Sequence, residues 1–327
     1  MRASSAARLA LALVAVDVLA GCATPLPVPE PDAVPAVAPA ALGEGQVARV
    51  LEDVAATVAA GDTALDAEAL TARVDGPARG IRTAQYVLAA AGATGAVTAL
   101  PAEAQTVITS TADEWPRVMM TVTQAPEDLR APLLETLVQT SPREPYRLWS
   151  WARLFPGAQV PATLQPGLGS APVAADSDAV LVPPGEVLSR YTDVLTQGVA
   201  SPYAAQFTED PLRTRIAQQR DGWVAAVGAQ GSVTETYTPG DAVYALATAD
   251  GGAIVVGTVT TVTTLTLVDS TLTIGDQTAA LLGTNTVSSS LAITWTSVVA
   301  FAVPPAGSAD PITVLGAEHQ PVSVTGS

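Results

Sequence analysis

His319 is the only histidine in 327 residues, Cys22 is the only cysteine, and there is no lysine. These counts decide which chemistry the chain can carry. A zinc site needs three or four donors, which one histidine and one cysteine cannot supply. A serine–histidine triad is possible only around His319, close to the chain end, and no Gly-x-Ser-x-Gly turn accompanies it. No Gly-x-Gly-x-x-Gly run is present, and without lysine a Walker phosphate site is impossible. Asp176-Ser177-Asp178 lacks the downstream glycine and glutamate of a calcium loop. Glu209-Asp210 could do acid–base work, but directly before Pro211 they read as caps of a helix N-terminus. No catalytic residue, metal or cofactor is assigned, and the chain reads as a non-enzyme. A site built from Asp and Tyr is the last alternative.

The remaining candidate is a binding surface. Along 146–155, strict alternation puts Arg147, Trp149, Trp151 and Arg153 on one side. Two tryptophans framed by two arginines can form a stacking and cation–π platform. The competing reading is a half-buried sheet face covered by arginine stems.

Cys22 ends the run Leu19-Ala20-Gly21-Cys22, after Arg2, Arg8 and an apolar segment from Leu9 to Ala20. Twelve residues span about 18 Å, too short for a hydrocarbon core of about 30 Å, so residues 1–21 read as a signal peptide. The small residues before Cys22 resemble the lipobox of bacterial lipoproteins. That resemblance implies cleavage between Gly21 and Cys22, a lipid on the cysteine sulfur, and acyl chains such as palmitate holding the protein to the outer face of the cell membrane. Residues 22–43 carry six prolines between Pro25 and Pro39 and read as an extended stalk of about 3.1 Å per residue.

With Cys22 lipidated, no disulfide can form, so packing must supply the stability. All 15 basic residues are arginine and Asn285 is the only asparagine, a pattern that points by association to a high-GC actinobacterial genome. The formal charge of -16 excludes nucleic acid as a partner.

Beyond the stalk, the chain divides at a proline- and glycine-rich stretch, 161–183, into parts spanning 44–160 and 184–327. Val47, Val50, Leu51, Val54 and Val58 mark a first helix that Gly61 is expected to end. Helices are predicted over 66–74 and 77–90, then strands over 115–123, 132–140 and 146–155. The second part opens with a helix ended by Gly198 and another from Pro211. Strands follow over 233–237, 242–247, 253–268, 271–274, 287–303 and 312–318, with a helical turn over 277–282. Gly61 to Pro77-x-Arg79 is echoed by Gly198 to Pro211-x-Arg213, which suggests an internal duplication.

The expected fold class is α+β: two tandem domains, each with N-terminal helices on a curved antiparallel sheet. This element order resembles the NTF2-like and cystatin-like cone folds. Glu127-Asp128-Leu129-Arg130-Ala131-Pro132, the segment 142–149, Val303-Pro304-Pro305 and the segment 314–319 resemble a family of actinobacterial secreted lipoproteins of unknown function. The expectation is a lipid-anchored envelope protein that docks another envelope protein without catalysis. A small-molecule binder using an apolar cone pocket is the alternative, and an enzyme the last.

Overall fold

The computed structural model describes residues 38–125 and 130–327. The signal peptide, Gly21, Cys22 and most of the stalk lie outside these residues, as do Glu127, Asp128 and Leu129. The last residues assigned to the stalk behave differently from a free spacer. Ala40 forms an antiparallel bridge with Thr111, and the Ala41 N–H donates to the Ser110 carbonyl.

The first helix, α1, spans Glu44–Ala64 and starts where the Gly43 N–H donates to the Gln46 side chain. It runs past Gly61 rather than stopping there. Gly61 is buried inside the helix because a Cβ would meet Leu70 Cδ2 at 2.6 Å and the Tyr86 hydroxyl at 2.7 Å. The helix expected over 66–74 is only a 3-10 turn, Glu68–Leu70. The reason lies downstream: the Leu148 N–H donates to the Arg73 carbonyl and the Asp75 N–H to the Leu148 carbonyl. Backbone at 74–75 that bridges to Leu148 cannot continue a helix at the same time. Asp75 then caps α2, Gly76–Ala90, with Pro77 in its first turn.

Four antiparallel strands follow: β1 (Ala104–Thr109), β2 (Arg117–Thr123), β3 (Leu133–Gln139) and β4 (Arg147–Leu154). β1 has no counterpart among the predicted strands. The second part contributes α3 (Pro184–Gln197) and α4 (Pro211–Val227), the latter capped by Asp210 through the Arg213 N–H. Next come β5 (Gly231–Ala247), β6 (Ala253–Leu267), β7 (Leu272–Thr273), α5 (Asp276–Leu282), β8 (Thr286–Val287), β9 (Ser290–Val303) and β10 (Thr313–Gly326). The two strands expected over 233–247 are one, with a register shift between Pro239 and Val243. The strand expected over 287–303 is split into β8 and β9, and β10 continues eight residues beyond Glu318.

The eight long strands form one antiparallel sheet in the order β1-β2-β3-β4-β10-β9-β6-β5. Each part of the chain therefore runs helices first and strands second, and the last strands of the two parts meet in the middle. That meeting is narrow: β4 and β10 pair only at Leu154–Gly316 and Arg153–Ala317. α2 packs on both strands beside this seam.

The sheet is strongly curled into a half-barrel. The proline-rich stretch 161–183 supplies a strap across its two edges. The Ser170 N–H donates to the Thr109 carbonyl at the end of β1, while on β5 the Ala245 carbonyl accepts from the Val173 N–H and the Ala247 N–H donates to the Ala171 carbonyl. Residues 170–173 thus bond to both edge strands and satisfy backbone groups that an open sheet would leave bare. Gly169 can pass here because its φ is +74° and a Cβ would sit 3.0 Å from the Ala40 backbone.

Inside the curl, Leu134, Leu148 and Trp149 from the first part share a core with Leu246, Ile254, Val256, Val298 and Ala300 from the second. On the other side of β6 and β9, Val255, Val299 and Phe301 pack with Leu188 and Tyr191 of α3. Residues 38–327 form one compact unit.

Candidate functional site

The four residues of the expected platform occupy three different surroundings. Thr136 faces Ser150 but Leu137 faces Leu148, so Trp149 is an extra residue in β4 and the alternation breaks there. Trp149 packs edge-on to Tyr244 of β5 at 4.8 Å, with only 9% of its surface exposed. With Arg147, Asp75 and Tyr244 it lines a cleft of about 190 Å³. The Arg147 side chain is already held by Glu144 at 3.0 Å, with Asp75 at 3.9 Å. Trp151 is fully buried and lies beneath the Arg82 guanidinium at 5.2 Å. Arg153 donates to the Ala131 carbonyl beside a small recess of about 40 Å³.

Sequence reasoning missed the most unusual polar group in the body, which gathers at the seam. Arg82 of α2 is 1% exposed; it donates to Gln85 Oε1 at 2.9 Å and the Thr98 carbonyl at 2.7 Å, with Asp62 at 3.3 Å. Glu135 of β3 is also buried and accepts from the Thr121 hydroxyl at 3.2 Å. Burial pushes its carboxyl up to about 7, with Thr121 and Arg82 acting in the opposite sense. Glu318 of β10 is pushed up by burial too, against the pull of Arg153, Trp151, Arg215 and Arg82. The Trp151 indole N–H leans toward this carboxylate without the geometry of a full hydrogen bond. The Arg82 charge is disfavoured by burial and supported chiefly by Asp62. One local signal pointed here: Glu135 is the only charge in the otherwise uncharged strand 133–139.

This cluster has the pKa pattern of an acid–base site, but its side chains are packed into the seam rather than facing a substrate-sized cavity. His319 is similarly enclosed. Its Nε2 lies 3.0 Å from Gln219 Oε1, its Nδ1 2.8 Å from the Ser297 hydroxyl, and its ring stacks on Trp295 at 4.7 Å. Donation from Nε2–H to Gln219 and from Ser297 to Nδ1 satisfies a neutral ring. Burial, then Arg215, lowers its pKa to about 3, so it is a weak base for activating Ser297 at neutral pH. Glu209 and Asp210 sit at the start of α4, where Asp210 binds the Arg213 side chain at 2.7 Å. Among the described residues, no group of three or more His, Cys, Asp or Glu could hold a metal ion.

Besides an opening of about 440 Å³ over Glu209, Asp210 and Arg215 at the start of α4, two further openings lie on the surface of the described residues. One, of about 550 Å³, runs between α3 and α4 over Tyr237, with Val194 and Ile216 in its floor and Arg213, Arg220, Glu209 and Asp221 around it. The other, of about 280 Å³, lies between α1 and the edge of β1. Leu42, Val47, Leu51, Val107 and Pro166 make it mainly apolar, and Leu164 and Leu168 stand exposed in the adjoining loop. No helix among the described residues is long and apolar enough to cross a membrane.

No curated protein and no solved structure matches the chain. A family model does, over residues 33–326: that of a domain of unknown function, DUF8094, and the chain belongs to this family.

Proposed function

We propose that the protein is a lipid-anchored extracytoplasmic envelope protein that acts as a non-enzymatic docking or assembly module. The lipobox-like Leu19-Ala20-Gly21-Cys22 and the proline-rich segment behind it support the address. The observation that carries the docking reading is the apolar groove between α1 and β1. At about 280 Å³ it falls just below the range of roughly 300–1,000 Å³ for small-molecule pockets. It suits a few aliphatic side chains of a protein partner, with exposed Leu164 and Leu168 adding apolar surface at the rim. Meanwhile the perturbed titratable groups are buried in packing contacts, which favours recognition over catalysis.

The test is a photo-crosslinking side chain at position 168 in the native envelope. A discrete protein adduct is expected; adducts with lipid alone, or none, would contradict docking.

The cleft of about 550 Å³ between α3 and α4 favours a second reading, a small-molecule binder, because its size lies within the usual ligand range. We infer further that the two parts of the chain are duplicated copies of one NTF2-like plan. Support comes from their shared order of two helices, then antiparallel strands, around the β4–β10 pairing.

A further inference from the structure

The threonine-rich run of β6 has no part in the groove, the seam or the clefts. Its burial alternates strictly: Thr261, Thr263 and Leu265 are buried, while Thr260, Val262 and Thr264 between them are partly exposed. Helix α4 packs on β6, and the neighbouring even positions, Ile254 and Val256, lie in the internal core. From 258 onward the even positions leave that core and are partly exposed, with Thr266 fully so.

The register extends this face over three strands. Thr234 pairs with Thr264 and Thr238 with Thr260 across β5–β6, while Thr260 pairs with Thr296 across β6–β9. The even positions 232–238, 258–266 and 290–296 make thirteen side chains on one face, and eleven of them are Thr or Ser; Val262 and Ala292 are the others. None is charged, and none is fully buried. At the chain's own 14% of charged residues, thirteen positions would carry about two charges. The edge strand β5 carries Glu235 on its opposite face, where it meets Thr263, so in a chain of net charge -16 this face reaches the sheet edge uncharged.

We infer that this face binds an extended, neutral polysaccharide, whose ring hydroxyls exchange hydrogen bonds with the threonine and serine rows. Charge selects the partner class. An anionic polymer finds no cation on the face and is repelled by the acidic body; a cationic one finds no carboxylate there. A protein partner ordinarily anchors aromatic or arginine side chains in desolvated pockets, which rows of short hydroxyl side chains do not provide. A neutral polyol needs neither. The rows lie about 4.8 Å apart between strands and repeat every ~6.8 Å along them. Threonine is stiff at its first torsion, so the hydroxyls are held in place before binding and lose little entropy. Bridging waters can complete bonds that do not meet directly.

The test is affinity electrophoresis of the full chain in gels containing soluble neutral glucan, galactan, mannan or arabinan, with alginate as the anionic control. Retardation by at least one neutral polymer and not by alginate is expected. Thr260→Lys combined with Thr264→Lys should weaken it by about tenfold or more, whereas the Thr260→Ser, Thr264→Ser pair should stay within about threefold. Thr260 and Thr264 are partly exposed, and a thermal melt of each variant separates lost binding from lost folding. Failure of all four neutral polymers, equal retardation of the lysine pair, or self-association through this face would overturn the inference. Leu168→Asp should leave retardation unchanged, so failure here and failure of the docking groove are distinguishable.

Discussion

Glu135→Gln and a pH series together separate two opposing linkages inside the same body. Glu135 has a folded-state pKa of about 7 against an ordinary 4.5. The native state therefore holds the proton more tightly than the unfolded chain, and stability falls as pH rises from about 4.5 to 7. That interval is worth about 3 kcal/mol. His319 acts in the opposite sense, because its folded-state pKa is about 3 against an ordinary 6.5. Here the unfolded chain takes the proton first, so stability falls as pH drops below about 6.5, by about 3 kcal/mol at pH 4. Between about pH 4.5 and 6.5 the two slopes nearly cancel, with Glu318 adding to the side of Glu135. Glutamine at 135 keeps the shape and removes the ionisation. Urea unfolding from pH 4 to 8 should show the variant equal to wild type near pH 4.5 and more stable above pH 7, by about 2–3 kcal/mol. Wild-type and variant curves that stay parallel across this range would refute a buried Glu135 that resists ionisation.

Trp151→Ala removes a fully buried indole and uncovers Arg82, so it should cost about 3–5 kcal/mol in thermal or chemical denaturation. Trp149→Ala should fall at or below the lower end of that range, because its edge lines an open cleft; unchanged melting of both would favour an exposed platform. Gly61→Ala drives a methyl into Leu70 and Tyr86 and should cost about 1–3 kcal/mol, read as a lowered urea midpoint. Cys22→Ala should abolish labelling by a fatty-acid probe in cells, and undiminished label would sink the lipid-anchor reading.

Local patterns were readable where one face of an element is wet. The alternation of β6 and the 3–4 spacing of α1 gave both elements nearly to their ends. What failed depended on distant partners. Gly61 looks like a helix stop, yet it is required by Leu70 and Tyr86 packing across the helix. Residues 73–75 look helical until Leu148 claims their backbone. β1 is short, with two exposed polar residues, and gains definition only beside β2. The β4 bulge defeats strict alternation and separates Trp149 from Trp151. Arg82, Glu135 and Glu318 come from three remote segments, so no spacing could announce them; only a lone carboxylate in an apolar strand gave a hint. The uncharged face was half legible, since the wet side of β6 could be read but its alignment with β5 and β9 could not.

Docking through the α1–β1 groove is decided by a photo-crosslinking side chain at position 51, inside the groove, with and without Val107→Asp. Both residues line the opening and are partly buried at its wall. With native Val107, irradiation in the native envelope should give a discrete protein adduct. Aspartate at 107 should reduce its yield by about tenfold while the melting temperature moves only a few degrees. An adduct of equal yield in both proteins, or no protein adduct at all, would contradict a groove that receives a partner's apolar side chains.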